Sequence, residues 1–415
     1  MESKFFHSVR GFSTSKLAFV FLLMFAFLGV SPLSSDPTGM SSNIDGSFVR
    51  QLVLIFILFI AIAKCNYRNL ASELGYFWPI LLVLLVSGFS TMTSHDPSLS
   101  LKRWVIFLIV SFSLIALVVK EGSDSLLATF YGCLQFAVIV SVLLAIFLPS
   151  AVHTYNEFLD DELIGSWKGI FIHKNQAAPV AVIFIIMMAS KGLWSKFDTL
   201  VFALAVIFVF FTNSKSSLFI GVICLFVLLI FKRNYTKTFA DHFLSFVLAL
   251  AILIGGFFLF CVFSDVQYDP AALTGRGTIW NGLSWVVQDN PVLGLGYGAL
   301  WGGEDFVLSN YYPSELKWLE SLTHSHNGYY EVMASMGIVG YLFALVLFFI
   351  FPIVTLKRCV AVMDSGKIVF YTTFLIFFIL HNIFETDLFN STDPRWVMFL
   401  SIYIVLISDA RKYLR

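Results

Sequence analysis

The chain has 415 residues, of which 58% are hydrophobic and 13% charged, and its formal net charge is +0 at pH 7. Soluble globular proteins have about a quarter of their residues charged, and a water-soluble fold could not bury all 47 Phe residues of this chain. The composition therefore excludes an ordinary soluble protein and predicts that the lipid bilayer surrounds most of the chain. The neutral charge balance gives no indication of a nucleic-acid partner.

Apolar runs bounded by polar residues predict an all-α polytopic membrane protein with about twelve transmembrane helices. The runs lie near residues 17–34, 49–64, 76–92, 104–119, 126–149, 176–190, 197–212, 216–231, 244–264, 333–356, 368–384 and 396–409. Several are shorter than the ~20 residues of a full crossing, so tilted, broken or re-entrant helices are compatible with them. The first run follows a basic leader without a clear cleavage site, and we interpret it as an uncleaved first span.

Lysine and arginine in the connections predict the orientation. With the N-terminus in the cytoplasm, 17 of the 26 basic residues lie inside, and an even number of spans returns the C-terminus to the cytoplasm. We therefore expect residues 1–264 to hold spans 1–9, residues 265–332 to form one long periplasmic loop, and residues 333–415 to hold spans 10–12. No inside connection is long enough for a domain, so we expect the chemistry to face the periplasm.

The long loop between spans 9 and 10 is predicted to be helical in part. In the stretch TIWNGLSWVVQDNP, Trp280, Leu283 and Val287 recur at helical spacing, and Pro291 ends the helix. Such a helix is suited to lie flat on the outer leaflet with its tryptophans at the interface. The glycine-rich stretch GLGYGALWGG follows, and no strand precedes it, so we interpret it as a flexible turn and not as a dinucleotide fingerprint.

The stretch HNGYYEVMASMGIVG begins the next predicted span. Ser325 or Asn327 is suited to cap its helix, which places His326 at the helix start near the outer membrane surface. Gly337 and Gly340 lie one turn apart and would allow a neighbouring helix to approach closely. Taken alone, His326 is also compatible with an interfacial histidine that only anchors the helix end.

The sequence predicts neither a metal site nor a cofactor. His324 and His326 lie close together, but no fixed third ligand is evident. The five cysteines are scattered and form no CxxC pair, which argues against both a zinc site and a disulfide framework.

Three stretches resemble, in the same order, the O-antigen ligase and polysaccharide polymerase family of bacterial inner membranes. They are SWKGIFIHKNQ (166–176), GRGTIWNGLSWVVQDNPVLGLGYGALW (275–301) and HNGYYEVMASMGIVG (326–340). The resemblance covers about 166–345 by motif and the remaining chain by topology. It implies a membrane-embedded, metal-independent glycosyltransferase of the bacterial inner membrane. Such an enzyme moves a glycan from undecaprenyl diphosphate to an acceptor hydroxyl at the periplasmic face.

The resemblance implies that Arg276 and His326 are catalytic. Arg276 can stabilise the negative charge that grows on the diphosphate, although pairing with lipid headgroups is an alternative. His326 either takes the proton of the attacking hydroxyl or holds a substrate by hydrogen bonds, and the sequence leaves both roles open. The candidate residues for binding diphosphate or glycan are Lys215, Lys174, Asn175, Asn327, Arg395, Tyr297 and Trp301.

Several of these candidates have structural alternatives. Family members often have an arginine where this chain has Lys215, and a lysine lacks the planar fork with which arginine clamps a diphosphate. A lysine at a helix end that snorkels to the interface is the equally open alternative. Lys174 is suited either to position phosphate or to pair with the acidic residues at 160–162. Tyr297 and Trp301 are suited to stack on sugar faces, or they are ordinary interfacial aromatics.

Glycan transfer by a polysaccharide polymerase is the function that the motifs favour. An O-antigen ligase, which transfers glycan to the lipid A core, is the alternative within the same chemistry. A transporter or flippase would need ionisable residues near the middle of the membrane, and the apolar runs contain few. A scaffold for an export complex would leave Arg276 and His326 replaceable.

The expected partners are the undecaprenyl-diphosphate-linked donor, a glycan or lipid A core acceptor, membrane lipids, and chain-length regulators or export proteins. Glu331, Glu385 and Asp387 are further carboxylates that could assist the reaction.

Overall fold

The computed structural model describes residues 13–29, 48–154, 163–192, 194–264, 266–269, 272–302, 322–391 and 393–414. These residues form an all-helical bundle. Its α-helices are α1 (Thr14–Leu28), α2 (Phe48–Lys64), α3 (Tyr67–Leu74), α4 (Trp78–Met92), α5 (Pro97–Glu121), α6 (Ser123–Phe147), α7 (Lys174–Ser190), α8 (Lys196–Phe211), α9 (Lys215–Arg233), α10 (Lys237–Phe263), α11 (Ala272–Asp289), α12 (Gly328–Ala344), α13 (Phe351–Cys359), α14 (Ser365–His381) and α15 (Pro394–Leu414). Within these ranges the extended segments make only an isolated antiparallel bridge, between Val152 and Trp167.

Each of the twelve predicted apolar runs overlaps a helix or a continuous helical unit. Six helical units of the described chain are long and apolar enough to cross a membrane: Tyr67–Met92, Pro97–Glu121, Ser123–Phe147, Lys215–Arg233, Lys237–Phe263 and Gly328–Cys359. Three shorter apolar helices are Thr14–Leu28, Lys174–Ser190 and Ser365–His381. The all-helical class is thus confirmed, while twelve crossings and the orientation stay predictions.

The bundle has a fully packed centre and an apolar outer surface. Helices α7, α14 and α15 bury nearly all of their residues and pack against one another and against α5, α6 and α9. Helices α2, α8, α9 and α10 instead expose large apolar side chains outward, among them Phe56, Phe210, Phe226 and Phe257. Exposed apolar surface on this scale is stable only against lipid, which explains the phenylalanine content of the sequence.

Helix α11 confirms the helix predicted in the long loop, and it ends at Asp289, two residues before Pro291. Its place in the fold differs from the prediction. Trp280 and Leu283 are buried because α11 packs against α10 and α12, and the Trp280 indole donates to the Ser325 carbonyl at 3.2 Å. The helix therefore packs on the bundle, and Trp280 is buried instead of lying at the interface. Its flat position on the outer leaflet stays a prediction.

A kink at Gly337 interrupts α12, and a turn of the loop fills it. Gly337 has φ 63° and ψ −169°, and a Cβ there would clash with the backbone of Val292. Leu295 N donates to the Ala334 carbonyl at 2.9 Å, and Ile338 N donates to the Pro291 carbonyl at 2.8 Å. The close approach predicted at Gly337 is thus made by this turn, whereas a neighbouring helix was expected.

Candidate active site

Several helix ends meet at one end of the bundle. Helices α7, α9, α12 and α15 begin there, and α14 ends there. The topology predicts that this is the outer end, because these four helices follow outside connections and α14 precedes one. Polar side chains from all five helices and from α11 contact one another, and the positive ends of four helix dipoles favour an anion at this place.

Glu385 lies at the centre of these contacts and has 0% exposed surface. It belongs to the segment that joins α14 to α15. Its Oε1 accepts from Arg276 Nη2 at 3.0 Å and from Asn175 Nδ2 at 3.2 Å. Its Oε2 lies 3.4 Å from Arg395 Nη1 and 3.5 Å from His326 Nδ1. One carboxylate thus connects four residues that the sequence analysis named separately.

The Glu385 carboxyl remains ionised although it is buried. Burial would raise its pKa, but the adjacent His326 imidazole and the positive charges of Arg276 and Arg395 outweigh burial and hold the pKa well below its usual range. The carboxylate is therefore a permanent negative charge inside the site at all physiological pH values.

Arg276 reaches the site from the first turns of α11. Its guanidinium donates to the Phe384 carbonyl through Nη1 and to Glu385 through Nη2, and its side chain keeps 17% of its surface exposed. The two contacts fix the plane of the guanidinium, while the exposed part is accessible to a ligand. Such a fixed cation is suited to bind the oxygens of a phosphate group.

His326 is held in an unusual backbone conformation directly before α12. Its φ is 53°, a region that non-glycine residues rarely adopt. Asn327 follows and caps α12 by accepting from Tyr329 N at 3.0 Å and Tyr330 N at 3.1 Å, which confirms one of the two predicted caps. Strain of this kind persists where the surrounding structure demands it, and it is frequent at functional sites.

Asn327 and Gly328 also fix this segment against the segment after α14. Asn327 Nδ2 donates to the Ile383 carbonyl at 3.1 Å, and Gly328 N donates to the Asn382 carbonyl at 2.8 Å. A Cβ at residue 328 would clash with the Asn382 side chain, so this close approach requires glycine. Asn327 thus acts as a cap and a tie, while its predicted contact with substrate stays a prediction.

His324, His326 and Glu385 are the described residues that could together hold a metal ion, since one ligand atom from each lies within 4.8 Å of the others. Glu385 is the third ligand that the sequence did not reveal. Burial lowers the pKa of His324 well below its ordinary value, so its imidazole is neutral and able to bind a metal. However, Arg276 and Arg395 already contact the Glu385 carboxylate, and their positive charges would repel a metal cation beside it.

Asn175 joins the site directly, whereas Lys174 lies beside it. Asn175 donates to Glu385 and accepts from Ser214 Oγ at 3.3 Å. Lys174 is buried, and its ammonium donates to Ser166 Oγ at 3.5 Å and to the Asn213 carbonyl at 3.4 Å. The predicted acidic partners at 160–162 lie outside the described residues. These contacts give Lys174 a part in holding the connection before α9.

Lys215 and Arg395 differ in accessibility. Lys215 is exposed at the first position of α9, next to Ser214. Arg395 has 3% exposed surface and binds Asp393 through Nε at 2.8 Å and Nη2 at 2.9 Å, in addition to Glu385. Lys215 is therefore placed to meet a ligand from outside, and Arg395 supports the site from within.

Tyr297 and Trp301 lie in the interior, with 1% and 4% exposed surface. The Tyr297 hydroxyl donates to the Phe389 carbonyl at 3.0 Å, and the Trp301 indole donates to Glu331 Oε1 at 2.7 Å. Arg103 of α5 donates to the Trp301 carbonyl at 2.7 Å and helps to hold this turn. Neither ring has a face open to a sugar in this structure, which corrects the predicted stacking role and the flexible turn.

Glu385 is the main residue that sequence reasoning undervalued. It lies 59 residues after His326 and 109 after Arg276, outside all three family-like stretches. The one available signal was a cluster of polar residues, NIFETD, directly after an apolar span. Charged residues at such a position mark functional sites, but the sequence did not indicate their partners.

Fold and site together define a polytopic helical membrane protein in which two arginines and a histidine surround a buried carboxylate at one end of the bundle. A profile of the O-antigen ligase family matches residues 200–345, which include Lys215, Arg276 and His326. This region of the chain is therefore similar to the O-antigen ligase family, whose members carry out glycosyl transfer of the ligase or polymerase type. Lys174, Asn175, Glu385 and Arg395 lie outside the matched region, and the search of curated proteins returned no match.

Proposed function

We propose that the chain transfers a glycan from an undecaprenyl-diphosphate carrier to an acceptor hydroxyl at the outer face of the inner membrane, as a polysaccharide polymerase. The observation that carries the proposal is the arrangement around Glu385. One buried carboxylate holds a candidate base, His326, and a candidate diphosphate ligand, Arg276, side by side. Transfer from a diphosphate requires both a base and a cation.

The diphosphate end of the donor binds Arg276 and the helix N-termini in this proposal. Negative charge grows on the diphosphate as its bond to the anomeric carbon breaks, and preorganised donors stabilise that charge. Lys215 adds a second cation from outside the bundle. The apolar surface of the helices accommodates the polyprenyl chain in the bilayer, while the glycan projects outward.

His326 takes the proton of the acceptor hydroxyl. Glu385 lies beside Nδ1 and favours the tautomer with the proton on that nitrogen, so that Nε2 carries the basic lone pair. The acceptor oxygen forms the new bond to the anomeric carbon, its proton moves to Nε2, and the old bond electrons leave with the diphosphate. Glu385 stabilises the imidazolium that results.

We propose that the reaction needs no metal ion. Arg276 supplies at the diphosphate the positive charge that a metal would otherwise supply, and the two arginines at Glu385 disfavour a cation at His324 and His326. Chelation of divalent metals should therefore leave the rate of transfer unchanged. A rate that falls on chelation and returns with added metal would contradict this part of the proposal.

The polymerase and the ligase share this chemistry and differ in the acceptor. The stretches WKGIFIHKN, GRGTIW and GYGALW resemble the exopolysaccharide polymerases more closely, and on this basis we propose a lipid-linked glycan as acceptor. Chain-length regulators and export proteins are the partners expected for such an enzyme.

Cells that lack the gene test the proposal when they are complemented with the wild type, Arg276→Ala or His326→Ala. Surface glycan and lipid-linked intermediates are sized on gels, and the amount of each variant in the membrane is measured. A polymerase predicts that single lipid-linked repeat units accumulate and long chains disappear in both variants. Long lipid-linked chains that never reach the lipid A core would identify a ligase. Normal glycan in both variants would contradict the proposal and favour a transporter or a scaffold.

A further inference from the structure

A second, fully buried polar cluster adjoins the proposed active site. His381, the last residue of α14, has Nδ1 2.7 Å from Asp387 Oδ2 and Nε2 3.0 Å from Ser217 Oγ. All three residues have 0% exposed surface. Polar groups without access to water are costly to bury, so a satisfied cluster of this kind specifies one arrangement of the segments that it joins.

One path of hydrogen bonds leads from this cluster to Glu385 through α9 and α7. Ser217 Oγ lies 3.1 Å from Ser214 Oγ, and Ser214 Oγ lies 3.3 Å from Asn175 Oδ1. The amide nitrogen of Asn175 donates to Glu385 Oε1. The path therefore ends on the carboxylate that holds Arg276 and His326.

A second path runs through the segment after α14. Glu385 N donates to the His381 carbonyl at 2.9 Å, which begins the turn that carries Glu385. Asp387 Oδ1 lies 3.4 Å from Arg395 Nη1, and the same nitrogen lies 3.4 Å from Glu385 Oε2. The two paths close a ring that includes His381 on one side and Glu385 on the other.

The directions of these hydrogen bonds depend on His381. Asp387 accepts from Nδ1, which places the proton of a neutral imidazole there and makes Nε2 an acceptor for the Ser217 hydroxyl. The Ser217 oxygen is then available to accept from Ser214, whose single hydroxyl proton is shared between Ser217 Oγ and Asn175 Oδ1. A residue unable to make both contacts at this position would leave Asp387 and Ser217 without their partner and would loosen the turn that carries Glu385.

We propose that His381 is a positioning residue for the glycosyl transfer: with Asp387 and Ser217 it fixes the turn that presents Glu385 to His326 and Arg276. The inference rests on the proposed function. The Ser217–His381–Asp387 arrangement resembles a hydrolase triad in its contacts. Its complete burial keeps substrate away from the Ser217 hydroxyl, so we assign it no covalent step.

Purified full-length protein in lipid nanodiscs tests this role, with transfer measured from an undecaprenyl-diphosphate-linked glycan and rates normalised to folded protein. His381→Phe keeps the ring that stacks on Phe377 but removes both hydrogen bonds, whereas His381→Asn keeps a donor for Asp387. We expect His381→Phe to lower kcat/KM about ten- to a hundredfold, as for other residues that orient a site, and His381→Asn to recover part of the loss.

A folded His381→Phe protein with the wild-type rate, or one with a lower rate and no recovery in His381→Asn, would overturn the inference. If His381→Phe does not fold, Ser217→Ala decides, with Ser401→Ala as its control because that buried serine bonds only within α15. A slower Ser217→Ala beside an unchanged control supports the inference, and equal rates overturn it. A wild type that transfers no glycan would show that the proposed function itself fails, and the inference with it.

Discussion

Glu385 contacts two arginines and one histidine although no part of its surface is exposed, and these contacts explain why the carboxylate stays charged. Removing one partner of a buried ion pair usually lowers stability more than removing one partner of an exposed ion pair, because the remaining buried charge loses its compensation. The behaviour of the site should therefore depend on this carboxylate more than on any neutral residue around it.

Glu385→Gln tests this dependence, since the amide keeps the size of the side chain and removes its charge. We expect the rate of glycan transfer to fall about ten- to a hundredfold, because the amide fixes neither the tautomer of His326 nor the plane of Arg276 as a carboxylate does. Asp241→Asn is the control, as that carboxylate pairs with Lys357 at 3.6 Å and is half exposed. Equal losses in the two variants would show that the charge of Glu385 has no special part.

Two buried histidines near the start of α7 predict how stability depends on pH. Burial, followed by the charges of Lys168 and Lys174, lowers the pKa of His153 to about 4, and burial followed by His153 lowers the pKa of His173 to about 3. The unfolded chain binds these protons near the ordinary histidine pKa of about 6.5. Between about pH 6.5 and 4 the unfolded state therefore binds more protons, and stability falls as pH falls.

We expect the unfolding temperature of the purified protein to decrease through that pH interval. His153→Gln should make the decrease shallower, because its amide oxygen can still accept from Lys174 N without titrating. His242→Gln, at an exposed position of α10, should leave the profile as in the wild type. If the unfolding temperature of His153→Gln falls as steeply with decreasing pH as that of the wild type, protonation of His153 does not cause the decrease.

At the scale of single elements, the kink of α12 is the place where the loop between α11 and α12 packs against α12, close to the segment that carries His326. The turn at 290–296 pairs with the backbone of α12 at Gly337, and Trp301 reaches Glu331, whose Oε2 accepts from Ser325 N at 3.0 Å. Movement of this turn would thus reach the segment that carries His326. The glycine at 337 is what allows the turn to approach.

Gly337→Ala should destabilise the protein. The positive φ alone costs a non-glycine residue about 1–2 kcal/mol, and the added Cβ also clashes with the Val292 backbone. A lower unfolding temperature in detergent and a slower rate of transfer are the expected results. Gly256→Ala is the matched control, since no atom within 4 Å would meet its Cβ. If both variants unfold at the same temperature, the kink does not constrain the fold as described.

The helices were largely predictable from sequence, because an apolar run of sufficient length has few alternatives to a helix in lipid. The end of α11 at Asp289 and the cap at Asn327 followed from local residues. The burial of Tyr297 and Trp301 did not follow, since it depends on Arg103, about 200 positions earlier in the chain. The family resemblance was enough to predict His326 and Arg276 as site residues. Their common contact with Glu385 could not be predicted, because it depends on how the helices pack.

Across the whole molecule, charged residues form clusters at both ends of the bundle. At the end opposite to the active site, Lys367 of α14 lies 2.7 Å from Asp409 of α15 and also contacts Asp124 of α6. The Tyr371 hydroxyl donates to Asp409 at 2.7 Å. This cluster holds the three helices together at the end of the bundle away from Glu385, so its loss should affect stability without changing the chemistry.

Lys367→Met tests that separation. We expect the variant to lose about 1.5–3 kcal/mol of stability, because the buried Asp409 loses its closest charged donor and keeps Lys412 at 3.0 Å. The folded fraction should retain the wild-type kcat/KM in the transfer assay. Asp409→Asn in the Lys367→Met background should restore part of the stability, since it removes a buried charge that then has Lys412 as its remaining paired cation. A folded fraction with strongly reduced kcat/KM would show that the two ends are coupled.

The most direct test of the central claim is transfer by the purified protein, followed by mass spectrometry of the products. The protein in nanodiscs receives an undecaprenyl-diphosphate-linked repeat unit, and the released undecaprenyl diphosphate and lengthened lipid-linked glycan are quantified. We predict that the wild type forms both products in equal amounts and that His326→Ala forms them at least about 100-fold more slowly, as expected on loss of a general base. Equal rates in the wild type and His326→Ala would contradict the account, and so would a wild type that yields neither product with this acceptor or with a lipid A core acceptor.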